Sequence, residues 1–97
     1  MKITLHPGAE KDVVAAAEFY QREGSATLAA RFVSEFKKLS LLLLEHPGIG
    51  SPRSLGRRGF SMGIFPYTVI YRAYVEEIKI LVVKHGRRRP GYGGARR

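Results

Sequence analysis

The stretch Phe60–Tyr92, FSMGIFPYTVIYRAYVEEIKILVVKHGRRRPGY, decides the fold of this 97-residue chain. Met62 and Ile64 alternate with small or polar neighbours, which predicts a strand over 60–65. Pro66 marks the end of that strand or a bulge. Thr68–Tyr74 and Ile78–Lys84 are rich in β-branched and aromatic residues and predict two further strands. Glu76 and Glu77 fall at the turn between them. Connections this short join antiparallel neighbours. The last strand runs straight into His85-Gly86-Arg87-Arg88-Arg89. The sheet therefore delivers a histidine, an arginine cluster and Tyr92 to one end.

Working back from that sheet, Lys2–His6 alternates, with Ile3 and Leu5 on one side, and predicts a short strand. Pro7-Gly8 ends it, and the proline suits the first turn of a helix. From Ala9 to Glu23 the period changes: Ala9, Val13, Ala16, Ala17 and Tyr20 share one helical face. Glu10 and Asp12 are assigned to the first turn, off that stripe, where acid complements the helix dipole. Gly24 ends the helix and Ser25 is a natural N-cap for the next. That second helix spans about 26–45, with Leu28, Phe32, Phe36, Leu39 and Leu43 on its core face, widened by Leu41, Leu42 and Leu44. Arg31 and Glu35 are spaced to pair across one turn. His46–Pro52 holds two prolines and two glycines and reads as a loop, extended by Arg53, Arg57 and Arg58. Strand, helical hairpin, then a run of strands is α+β, with helices on one face of the sheet. The expectation is a single domain over 1–97, in which 86–97 is a basic, partly flexible tail.

Charge is distributed unevenly. Six basic and six acidic residues balance up to Pro52; from Arg53 onward eleven Lys or Arg face only Glu76 and Glu77, so the whole net charge of +9 lies in the second half. A one-sided field of this kind attracts nucleic acid, a ribosome or an acidic protein. With no cysteine in the chain, disulfides and zinc–thiolate sites are excluded. No apolar run is long enough to span a membrane, and MKITLHPG carries no apolar signal core.

A sheet covered by helices on one face leaves the other open. That face carries some of Arg57, Arg58, Arg72, Lys79, Lys84, His85 and Arg87, each of which can contact phosphate. Tyr67, Tyr71, Tyr74 and Tyr92 can stack on bases or pack half-buried. His85 can act as a proton acceptor, or simply bond backbone at a strand end. His6 and His46 each precede a proline and read as structural. The three histidines have no metal-ligand spacing, and neither a Ser-His-Asp set nor a carboxylate pair is visible. RNA cleavage through the 2′-OH needs only a base, cationic stabilisation and help for the leaving group. His85, the arginines and Tyr92 suffice chemically for that.

Four pieces in series resemble the RelE/ParE superfamily, the toxins of type II toxin–antitoxin modules. They are A-x-x-D-x-x-x-A-x-x-x-Y from Ala9 to Tyr20, Glu45–Gly50, Phe65–Arg72, and Val82–Arg88 with Pro90-Gly91-Tyr92. The resemblance implies a helical hairpin against an antiparallel sheet of about four strands. It also implies a bacterial cytoplasmic toxin, without cofactor or metal, masked by an antitoxin whose acidic C-terminal segment would match the basic half. RelE-like members cleave mRNA on the ribosome; ParE-like members inhibit DNA gyrase without cutting RNA. Arg87 (or Arg88) and Tyr92 match the RelE-like catalytic arginine and tyrosine. Thr68 stands where such members carry an arginine, and Gly93 follows Tyr92 where many have tryptophan. The His46-Pro47-Gly48 loop and His85 look ParE-like. The arginine cluster and Tyr92 tilt the expectation toward ribosome-dependent mRNA cleavage, with His85, Arg87 and Tyr92 catalytic and Arg57, Arg58, Arg72, Arg88 and Arg89 on the target. The alternatives are a gyrase inhibitor and a relic that binds only its antitoxin.

Overall fold

Where apolar residues alternate the chain forms strand, and where they recur at helical spacing it forms helix. The computed structural model describes residues 1–97. β1 (Lys2–Leu5) leads into α1 (Pro7–Glu23), then α2 (Ala26–Glu45), β2 (Ser51–Pro52), β3 (Arg58–Ser61), β4 (Tyr67–Ala73) and β5 (Glu77–His85). Pro7 opens α1, and the His6 imidazole caps it by accepting from the Gly8 N–H at 2.9 Å. Ser25 caps α2 by accepting from the Leu28 N–H at 3.0 Å. No helix is long and apolar enough to cross a membrane.

The sheet has five strands in the order β1–β5–β4–β3–β2, and β1 runs parallel to β5, where about four antiparallel strands were expected. The whole helical hairpin and three strands separate β1 from β5 in the chain, so no short turn dictates its direction. Ser51–Pro52, read from sequence as loop, pairs with Arg58–Gly59. The strand expected over 60–65 is displaced to Arg58–Ser61. Residues 62–66 form a turn that Gly63 allows with φ +79°, and its Met62 N–H closes back on the Tyr67 carbonyl. Met62 and Phe65 point into the core from this turn while Ile64 is exposed. The apolar spacing there is real, but it serves a turn lid.

The helix-side core joins Phe32, Phe36, Leu39 and Leu43 of α2, Ala9 and Ala16 of α1, and Val69, Tyr71, Ile78, Ile80 and Val83 of the sheet. Tyr20, Phe32, Phe65 and Tyr67 interlock, with Tyr20–Phe65 centroids 5.0 Å apart and Phe32–Tyr67 5.1 Å. Burial pushes the Tyr20 and Tyr67 phenols above their ordinary pKa; at Tyr67 the neighbouring Tyr20 adds to it. Of the widened leucine stripe, Leu41 stays exposed. Glu35 pairs with Lys38 at 3.7 Å instead of Arg31, an exposed contact worth little.

Tyr71 illustrates how the sheet holds the loop after α2. Its fully buried hydroxyl donates to the Pro47 carbonyl at 2.8 Å and accepts from the Gly50 N–H at 2.9 Å. Tyr71→Phe strands that buried N–H and is expected to cost about 1–2 kcal/mol in urea unfolding. An unchanged midpoint would show that the loop is not anchored there.

Ile70 pairs with Val82 and Tyr71 with Ile80, so Leu81 is one residue too many and β5 bulges. Ile70, Leu81 and Val82 form a second apolar cluster, and Tyr92 packs on it. The sheet face away from the helices is therefore partly covered, not open as the sequence suggests. The segment after His85 is a chain of turns, tied by Arg88 N–H to His85 O, Tyr92 N–H to Arg89 O and Arg96 N–H to Gly93 O. Gly93, with φ +76°, lies so close to β5 that a Cβ would sit 2.4 Å from a Val82 methyl.

Candidate functional site

The Asp12 carboxylate organises the end of the sheet that the sequence singles out. β1 makes its last pair with β5 at Leu5–Ile80, so beyond Ile80 the edge of β5 opposite β4 has no strand beside it. Asp12, buried on α1, takes that place: its Oδ2 accepts from the Val83 N–H at 3.0 Å and from Arg96 Nη1 at 2.6 Å. Its Oδ1 accepts from the Tyr92 hydroxyl at 2.5 Å. Arg96 also donates to the Leu81 carbonyl at 3.1 Å. The hydrogen bond to Asp12 raises the Arg96 pKa against the opposing effect of burial. An α1 carboxylate and the Arg96 side chain thus satisfy the exposed edge of β5, and Tyr92 holds the carboxylate in place.

Sequence reasoning missed both Asp12 and Arg96. The signal for Asp12 was present: it is three residues after Ala9 and four before Ala16, which places it on the buried stripe. Nothing local marks Arg96.

His85 ends β5 with its ring edge-on to Tyr67 at 5.2 Å, and its Nδ1 accepts from the Arg87 N–H at 3.0 Å. It borders a cleft of about 240 Å3 between α1 and the end of β5, where Phe19 and Val83 form apolar wall and Arg22 and Arg88 bring charge. Arg88 also lies over the Tyr92 ring, 4.5 Å from its centroid. The structure therefore brings His85, Arg88 and Tyr92 to one end of the sheet, as the sequence order implies. Arg87, Arg88 and Arg89 are all exposed.

Arg57, Arg58 and Arg72 lie elsewhere and bind backbone. Arg57 is buried and donates to the Gly93 and Gly94 carbonyls, each at 3.2 Å, and to that of Arg96. It clamps the tail from the inside. Burial lowers its pKa, and Arg72 and Arg96 push the same way. Arg58 donates to the Gly50 carbonyl at 2.9 Å, and Arg72 to the Leu55 carbonyl. No group of three or more His, Cys, Asp or Glu is placed to hold a metal ion.

The family model for the ParE toxin of the type II toxin–antitoxin system parDE matches residues 3–90. No curated protein matches the chain. Among solved structures, the fold is similar to one described as the chromosomal ParDE TA system from P. aeruginosa. That likeness has a TM-score of 0.78 at 22% identity, over 88% of this chain and 95% of the other.

Proposed function

Since this chain belongs to the ParE toxin family of type II toxin–antitoxin systems, we propose that it arrests growth by binding DNA gyrase rather than by cutting mRNA. A toxin of such a module has a cognate antitoxin, and the strongly basic second half suits one with an acidic C-terminal segment. The observation that carries the choice of target is the position of the Tyr92 hydroxyl. It donates to buried Asp12 and lies 3.2 Å from Arg96, holding the tail on β5. A leaving-group acid must instead face the scissile phosphate. His85 Nδ1 is likewise occupied by the Arg87 N–H. What this end of the molecule offers is an exposed basic run, Arg87 to Arg89, of which Arg88 borders a small cleft. Exposed charge of this kind speeds association with an acidic protein surface and fixes its orientation.

The test is purified toxin added to gyrase and relaxed plasmid. Supercoiling is expected to fall and cleavage complexes to accumulate, while mRNA on programmed ribosomes stays intact. Arg87→Glu with Arg89→Glu should weaken inhibition about tenfold or more through slower association, whereas Tyr92→Phe should inhibit gyrase almost as well as the parent. Codon-phased mRNA cuts that vanish in Tyr92→Phe, with supercoiling untouched, would overturn this reading in favour of the nuclease.

A further inference from the structure

On the sheet face away from the helices, two adjoining clefts of about 380 and 330 Å3 share Leu55, Arg57 and Gly94 as a common wall. Six cations line them: Arg53, Arg57, Arg72, Lys84, Arg96 and Arg97. No acidic residue lines either cleft, and Arg96 alone has a carboxylate partner, Asp12, on the far side. We propose that these paired clefts bind backbone phosphates of duplex DNA, so that the toxin grips the DNA segment held by its target as well as the target protein.

Three features support a built site over a merely solvated basic face. Two of the guanidinium groups are fixed in advance: the Leu55 carbonyl holds Arg72, and three tail carbonyls hold Arg57. Little side-chain entropy then remains to be lost on binding. Leu55 itself sits in the left-handed region at φ 62°, an unfavourable backbone for leucine, and its carbonyl is the one that Arg72 holds. Arg57 Nε is buried without any hydrogen-bond partner, in a cluster whose members repel one another. A bound dianion or phosphodiester relieves that repulsion.

The lining chemistry chooses nucleic acid over protein. A protein interface is built around apolar and aromatic anchors, but the larger cleft offers only Leu55 and Ala95. Protein–DNA interfaces are more polar and strongly positive, and arginine meets phosphate bidentately. The choice of duplex DNA as the source of those phosphates rests on the gyrase reading above.

The experiment omits gyrase, so the two readings can fail separately. A labelled duplex of about 20 base pairs is titrated with toxin by fluorescence anisotropy between about 50 and 200 mM salt, where each phosphate contact adds about 0.9 to the slope of log K against log salt. Arg53→Gln with Arg72→Gln is expected to reduce that slope by about 1.8. Arg31→Gln with Lys37→Gln removes the same charge from the exposed side of α2 and should reduce it by less than about 0.5. Circular dichroism melts check that each variant folds. If Arg72→Gln unfolds the chain, Arg53→Gln alone decides, with a loss of about 0.9 expected. Equal losses from the two pairs, or no salt-dependent binding by the parent, would overturn the proposal while leaving gyrase inhibition to its own assay.

Discussion

Asp12→Ala is expected to lower the stability of the fold by about 3 kcal/mol, the largest effect of any single surface-distant carboxylate change here. The substitution leaves the Arg96 guanidinium, only 18% exposed, without its counter-charge. It also strands the Val83 N–H and releases the Tyr92 hydroxyl. A buried charge that loses its partner costs more than the pair gained by forming, because desolvation is no longer offset. For a domain of this size the melting temperature should fall by about 12 °C or more. A double-mutant cycle isolates the cause: Asp12→Ala with Arg96→Ala should cost clearly less than the two singles summed, since neither buried charge is then left alone. Additive losses would mean that the pair is not coupled and that Asp12 acts only through Val83.

Arg57→Ala is expected to cost about 3 kcal/mol, for a different reason. Arg57 is 7% exposed and ties the carbonyls of Gly93, Gly94 and Arg96 to the sheet. Without it the tail loses its inner anchor, and the Asp12–Arg96 contact loses support. Hydrogen exchange reads this directly: the Gly94 and Arg96 amides, bonded to Gly91 and Gly93, should lose protection well before the amides of β4 and β5. Arg57→Lys should recover only part of the loss, because a single ammonium cannot span three carbonyls as a planar fork does. Tail amides that stay as protected as the parent's would show that the Asp12 contacts hold the segment unaided.

Much of the architecture was legible because it depends on local periodicity. The Phe32–Phe36–Leu39–Leu43 stripe, the Ser25 cap, the Pro7 start and the strands at 68–74 and 78–84 follow from spacing and turn chemistry that act within a few residues. The candidate site was only half legible. His85 and Arg88 do gather at one end, because a strand and the turn after it carry them there, whereas Arg57, Arg58 and Arg72 lie elsewhere. Asp12 shows the limit: the dipole argument sent it to solvent, although the A-x-x-D-x-x-x-A pattern of the resemblance already held it in line with Ala9 and Ala16. Two correct rules competed, and burial against an unpaired strand edge decided between them.

The chain's own order of residues determined the α+β class, the helical hairpin, the concentration of positive charge in the second half and the toxin-family motifs. Only the tertiary structure decided what each arginine does. In sequence Arg57, Arg58, Arg72 and Arg96 are alike, four cations in a basic half. In the fold they meet different carbonyls and one carboxylate, and the carboxylate meets Arg96 at the β5 edge that β1 leaves unpaired. A guanidinium's role depends on what remains unpaired around it. Unpaired backbone at a sheet edge arises from strand register between residues more than seventy positions apart, which no local pattern records.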